Sequence, residues 1–305
     1  MEELDKVLNR KSGFRYIASG QFDASQHVRL LRSVSYTRSG PSSYILEIVP
    51  LKQLIDIRYR ALSYTWGLAN SLDDVREIRV DGQYFFIRRN LFDFLEVAAA
   101  QGERGLLFID AICVNQTDHG ERQTAVQEMA HIYRNANEVI AWLVLPGRSG
   151  FDDVHSLDLA QVKDKDRKSW TASEWAGLRY LSFCPYWSRV WILQEILLAS
   201  KVRVWCGNCI FPLTLFNTTT PTLPPAKIKI DENGRPTNPK LAISRLRSPA
   251  EVITTHRLRL LLRPAEIDIL EQGTKVRTLA EIKKRSAQTV YCDADLPIAR
   301  SRSSL

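Results

Sequence analysis

Glu195 is the residue whose setting in this 305-residue chain most suggests chemistry. It lies in "RVWILQEILLA" (189–199), whose apolar spacing predicts a helix. In a helix, the neighbours three and four positions away are all apolar: Trp191, Ile192, Leu198 and Ala199. A carboxylate on an apolar face is costly unless it is paired, protonated or used. Glu195 is therefore either a functional carboxylate or half of a structural ion pair with Arg189, Arg203 or Arg122.

Aromatic and polar side chains follow two apolar runs that we predict to be neighbouring strands, "YRALSYTWG" (59–67) and "GLLFIDAICV" (105–114). Ligands of open parallel sheets bind beyond the carboxyl ends of the strands. Tyr and Trp offer flat faces to a planar ligand, and Asp and Asn can hydrogen-bond sugar hydroxyls. The alternative is that these are ordinary polar loop residues. The candidate binding residues are Tyr64, Trp66, Gly67, Asp110, Asn115 and Gln116, with Arg189 and Trp191 beside Glu195.

The order of the predicted elements indicates an α/β fold. "VRLLRSVSY" and "SYILEIVPL" predict two antiparallel strands, and Asp81-Gly82 predicts the two-residue turn of a hairpin. Strands and helices alternate from residue 59 to residue 207. We therefore expect a largely parallel, flavodoxin-like sheet flanked by helices, with an antiparallel strand and hairpin addition at the N-terminal side.

Charge and composition change along the chain. Residues 227–305 carry 16 Lys and Arg against 9 Asp and Glu, a net +7 of the total +8. Because this charge is dispersed and lacks interleaved aromatics, nucleic-acid binding is not expected. We predict a poorly ordered lead-in over 1–26, a folded domain over 27–216, a disordered linker over 217–250 and a short basic extension over 251–305. No long apolar run or signal segment is visible, so we expect a cytoplasmic protein without membrane association.

The five cysteines do not indicate a metal site or a disulfide framework. "CGNC" (206–209) has no second pair at metal-ligand spacing, and we predict a hairpin turn there. The other thiols are expected to be free and mostly buried. No phosphate-binding glycine loop or hydrolase motif is present. The sequence therefore predicts no metal and no required cofactor.

Three blocks of the chain resemble the fungal heterokaryon-incompatibility (HET) domain family. They are "YRALSYTWG" (59–67), "FIDAICVNQTDHGERQTAVQEMAHIYRNANEVIAWL" (108–143) and "YWSRVWILQEILLASKVRVWCG" (186–207). Their order and spacing match the family's motifs, and "HVRLLRS" (27–33) is similar to its entry strand. The resemblance implies a cell-death effector in fungal non-self recognition.

HET domains are in turn distantly similar to Toll/interleukin receptor (TIR) domains. "ALSY" resembles a TIR entry strand, and "WILQEILLA" resembles the TIR helix that carries the catalytic glutamate of NAD-cleaving members. This likeness implies that Glu195 is catalytic and that NAD is a candidate substrate, so the chain is a candidate NAD glycohydrolase. The alternatives are a non-catalytic signalling module that self-associates or receives an upstream sensor protein, and a degenerate copy.

Two segments depart from the family pattern. "WLVLPG" (142–147) replaces the usual "WLG" after the third strand. "YCDADLPIARSRSSL" (291–305) begins like a downstream family segment and then diverges. From the second departure we expect a truncated C-terminal extension.

Overall fold

The computed structural model describes one mixed sheet with helices on it, over residues 3–16, 22–35, 42–144, 170, 178, 181–182, 184–216, 248–250, 252–254 and 257. The nine strands run in the order β5-β4-β2-β1-β6-β3-β7-β8-β9. Their bounds are β1 His27–Ser35, β2 Ser43–Pro50, β3 Tyr59–Tyr64, β4 Val75–Val80, β5 Gln83–Arg88, β6 Leu106–Phe108, β7 Glu138–Trp142, β8 Val202–Cys206 and β9 Cys209–Pro212. The helices are α1 Leu4–Ser12, α2 Arg89–Ala100, α3 Asp110–Cys113, α4 His119–Asn135 and α5 Ile192–Leu197.

The prediction of an α/β fold is confirmed, but the prediction of a largely parallel sheet is wrong. β6, β3, β7 and β8 are parallel neighbours, and β2 pairs with β4 in parallel. The other four pairings are antiparallel. The continuous parallel run β6-β3-β7-β8 is joined by connections that contain α2, α4 and α5, whereas β4–β5 and β8–β9 are hairpins at the two ends of the sheet. The β2–β4 pair is a separate, short parallel contact.

The antiparallel addition at the N-terminal side has the predicted strand pairs and the predicted turn. β1 pairs with β2 over almost its full length, and β4 pairs with β5 through a two-residue turn. Asp81 and Gly82 have φ values of 50° and 75°. Positive φ at both central residues is what a turn matching the twist of a hairpin requires, so the prediction is confirmed.

Helix α1 lies along β5 at the edge of the sheet. The Asn9 amide donates to the Phe86 carbonyl at 2.8 Å and accepts from the Phe86 N–H at 2.7 Å. An edge strand otherwise leaves such backbone groups unpaired, so α1 completes the hydrogen bonding of this position. This helix falls within residues 1–26, for which the sequence suggested only a lead-in.

One local prediction is corrected in the central part. The run 105–114 is not one long strand: β6 ends at Phe108 and a single helical turn, α3, begins at Asp110.

Asn90 lies in the first turn of α2, which begins at Arg89. Its side chain donates to the Thr65 carbonyl and accepts from Trp142 Nε1 at 2.7 Å. Asn90 therefore ties the loop after β3 to the end of β7.

One hydrophobic core runs across the sheet, and the buried strands β3 and β7 lie at its centre. The linker and extension predicted over 217–250 and 251–305 fall almost wholly outside the described residues. None of the helices that the structure describes is long and apolar enough to cross a membrane.

Candidate functional site

A cleft of about 830 Å³ opens at the carboxyl ends of the central parallel strands, and we call it the main cleft. It lies where β3 and β6 end, beside α4 and the segment that leads into α5. Six of the nine sequence-predicted site residues line it: Trp66, Asp110, Gln116, Arg189, Trp191 and Glu195. β3 and β6 are parallel neighbours, as predicted, which is why their trailing residues meet.

Glu195 lies at the wall of the main cleft and is only 6% exposed. Arg189 donates from Nη1 to Oε2 and from Nη2 to Oε1, each at 3.0 Å. Ser63 on β3 donates a further hydrogen bond to Oε2. The two-point contact of a guanidinium with a carboxylate fixes the orientation of both planes. Of the three arginines considered as partners from sequence, the structure selects Arg189.

Ser63 and Tyr186 are parts of this network that the sequence analysis missed. The Ser63 and Tyr186 hydroxyls are 2.5 Å apart, and both residues are buried. Burial, followed by the nearby charge of Glu195, raises the pKa of Tyr186 well above its usual value. Ser63 between Leu62 and Tyr64 in a predicted buried strand was the available signal, because a buried hydroxyl must find a partner.

Asp110 is the second carboxylate of the main cleft. Trp66 Nε1 donates to Oδ2 at 3.1 Å, and the Ala111 N–H donates to Oδ1 at 2.8 Å. Burial, and then the neighbouring charge of Glu195, raise the pKa of Asp110 to about 6. The cleft therefore contains one carboxylate held by a cation and one with an increased proton affinity.

Trp66 separates the main cleft from a side cavity of about 280 Å³ beneath α1. The indole is half-buried, and the Arg88 guanidinium lies 5.0 Å from its ring centre. Arg88 is itself held by Asp5 at 3.2 Å and by the Gly67 carbonyl at 2.8 Å. Trp66 is therefore held by Asp110 in the main cleft and by Arg88, which lines the side cavity.

Three predicted binding residues lie outside the main cleft. Tyr64 is 2% exposed, and its ring packs in the core and borders the side cavity rather than the main cleft. Gly67 contacts neither cavity, and its φ of 82° serves the turn after β3. Asn115 borders the side cavity, where its Oδ1 accepts from the Thr117 hydroxyl at 2.7 Å. Tyr64 therefore belongs to β3 and the core, whereas Gly67 and Asn115 shape the loops.

Helix α4 supplies the other wall of the main cleft, which the strand-end reasoning did not anticipate. Its polar contributors are exposed along one face: His119, Arg122, Gln123 and Gln127. Trp191, 48% exposed, also lines the main cleft and offers a flat face to a planar group. Gln116 donates from Nε2 to the Asp110 carbonyl at 2.8 Å and so supports the floor of the cleft.

The cysteines form no site in the part of the chain that the structure describes. Cys113, Cys184, Cys206 and Cys209 are free thiols, and Cys292 lies outside that part. Cys206 and Cys209 face each other across the β8–β9 hairpin, so the predicted turn is confirmed. No group of three or more potential metal ligands occurs among the described residues.

Comparison with known proteins agrees with the motifs. Residues 59–195 match the family model described as Heterokaryon incompatibility protein (HET). The chain is also similar to "Heterokaryon incompatibility protein 6, OR allele" of Neurospora crassa, at 34% identity over 97 residues. That match covers 28% of this chain and 14% of the relative. No solved structure matches the chain significantly. The matched segment contains β3, β6, β7 and Glu195, and this part of the chain is similar to the heterokaryon incompatibility (HET) family.

Proposed function

We propose that this chain acts in fungal heterokaryon incompatibility, as an effector of cell death after non-self recognition. The family match over residues 59–195 and the similarity to the Neurospora crassa protein support this role. The matched segment includes the residues that line the main cleft on the β3 and α5 sides. We therefore assign the effector activity to that cleft, and we place it in the cytoplasm.

The activity that we propose for the main cleft is hydrolysis of the nicotinamide–ribose bond of NAD. One observation carries the proposal: Trp66, Asp110 and Glu195 line the same cleft at the carboxyl ends of parallel strands. Breaking a glycosidic bond develops positive charge on the sugar, and a fixed carboxylate stabilises it. The TIR likeness assigns that part to the helix glutamate, which is Glu195.

The hydrogen bonds of Glu195 support this role. Its two oxygens offer about four acceptor positions, and Arg189 and Ser63 together occupy three. The remaining position is available to a ribose hydroxyl at the cleft wall. Trp66 and Trp191 would bracket the planar base, since both indoles are partly exposed in this cleft.

Nicotinamide release from NAD by the purified chain tests this proposal. We expect Glu195→Gln to abolish release, because a neutral amide cannot stabilise the developing cation. Glu77→Gln is the matched control, since Glu77 is exposed on β4, away from the main cleft. Release that persists unchanged in Glu195→Gln would rule out the assignment of Glu195. A folded chain that releases no nicotinamide would rule out NAD hydrolysis.

The second candidate function is a non-catalytic module that self-associates or receives an upstream sensor. The two-point pairing of Glu195 with Arg189 favours it, because such pairs also serve purely structural ends. This function predicts oligomers whose size rises with protein concentration in light scattering, and no turnover at any concentration. Toxicity on overexpression that survives Glu195→Gln would favour it over NAD hydrolysis.

A further inference from the structure

The two carboxylates of the main cleft are held by different kinds of partner. Glu195 accepts two hydrogen bonds from a guanidinium and one from a hydroxyl. Asp110 accepts only neutral N–H groups, from Trp66 and from the backbone of Ala111. Within the described ranges, no Lys, Arg or His lies within ion-pair distance of Asp110. Arg189 therefore compensates the charge of Glu195 by direct contact, whereas Asp110 has only neutral donors among the described residues.

The surroundings of Asp110 increase its affinity for a proton. Burial and the charge of Glu195 raise its pKa to about 6, while Arg189 and the Trp66 N–H act in the opposite direction. Other titratable groups face it from each neighbouring element: Tyr64 on β3, Cys113 on α3 and Tyr133 on α4. Burial raises the pKa of each of these three groups, so they stay neutral where Asp110 titrates. Paired acids whose environments differ in this way commonly divide into a proton donor and a charged partner.

Hydrolysis of NAD does not require a proton donor, but hydrolysis of other N-glycosides does. The nitrogen of nicotinamide is already cationic in NAD, so the base departs neutral without being protonated. The base of an ordinary purine nucleoside would depart as an anion unless an acid protonates it. An acid beside the sugar-stabilising carboxylate therefore fits the second class of N-glycoside.

We propose that Asp110 is a general acid and that the main cleft hydrolyses purine nucleosides and nucleotides as well as NAD. The inference rests on the proposed function, because it keeps Glu195 as the group that stabilises the sugar cation. Protonated Asp110 transfers its proton to a ring nitrogen of the base as the C1′–N bond breaks. Water adds its oxygen to C1′, and its proton returns to Asp110. The products are the neutral base and the free sugar.

Parallel assays with adenosine and NAD test the inference. We expect Asp110→Asn to slow adenine release about 100-fold or more and to slow nicotinamide release by a much smaller factor, because only adenine needs a proton from Asp110 to depart. Asn can still accept from the Trp66 N–H, so the cleft should persist, and a thermal unfolding curve checks this. Asp56→Asn is the matched control, because Asp56 is exposed just before β3, at the opposite end of that strand.

The pH profile of the unmodified chain supplies a measurement that needs no variant. Adenine release should fall about tenfold per pH unit above about pH 6, as Asp110 loses its proton, whereas nicotinamide release should not follow this decline.

Each failure has its own signature. Nicotinamide release without adenine release at any pH overturns the substrate inference and leaves NAD hydrolysis intact. Adenine release that is undiminished in Asp110→Asn overturns the role of Asp110. A folded chain that cleaves neither substrate overturns both this inference and the proposed NAD hydrolysis.

Discussion

Replacing Arg189 with Met should be the most destabilising single change in the main cleft. The variant removes two charge-assisted hydrogen bonds of 3.0 Å and leaves Glu195, 6% exposed, without its cation. Each such bond contributes about 1.5–3 kcal/mol, and removal of one partner from a buried pair costs about 3–5 kcal/mol. We therefore expect the free energy of unfolding to fall by about 3–5 kcal/mol. Glu195→Gln should cost less, about 1–2 kcal/mol, because the amide still accepts from Ser63.

A double-mutant cycle measured by urea unfolding tests this energy. The variant with both Arg189→Met and Glu195→Gln should be more stable than the sum of the single changes predicts, by about 2 kcal/mol or more. Arg203→Met is the matched control: Arg203 is more exposed than Arg189, and its partner Glu138 is also contacted by Arg60 and Lys201. It should cost about 1 kcal/mol or less. An additive cycle, or a loss below about 1 kcal/mol for Arg189→Met, would refute the reasoning.

Three further predictions concern other contacts. The pKa of Asp110 is about 6 in the folded chain against an ordinary 3.8, so the stability that this group contributes below about pH 4 is lost as pH rises towards 6. Between pH 4 and pH 7, the unfolding free energy of Asp110→Asn should therefore rise by up to about 3 kcal/mol relative to that of the unmodified chain. A difference that stays constant with pH would contradict this. Asn9→Ala should cost about 1–2 kcal/mol and speed hydrogen exchange at the Phe86 amide, which unchanged exchange would disprove. Gly82→Ala should cost about 1 kcal/mol in thermal unfolding because φ is 75°, and a neutral result would count against the turn.

Local features of the fold could be predicted from the sequence because they depend on neighbours along the chain. The Asp81-Gly82 turn follows from the φ preference of adjacent residues. Helix α4 follows from apolar residues at helical spacing, and Asp118 caps its N-terminus. The adjacency of β3 and β6 followed from the alternation of strands and helices. The same alternation suggested too much parallel sheet, because it carries no information on where the N-terminal hairpins pair.

The sequence could predict most of the residues that line the candidate site, but not which of them contact one another. The apolar setting of Glu195 required a partner, and the sequence offered three arginines of equal merit. Packing selected Arg189, six positions away, and added Ser63, 132 positions away. Tyr64 and Trp66, two residues apart, were given the same role, yet the end of β3 turns one ring into the core and the other into the cleft.

The sequence by itself therefore determined that a carboxylate sits on an apolar helix, that strand ends carry aromatic and polar groups, and that the chain has HET motifs. The tertiary structure alone decided which groups compensate that charge and which face the cavity. The physical reason is that the free energy of a buried polar group depends on all the atoms around it, and in this protein those atoms come from β3, α3, α4 and the segment before α5.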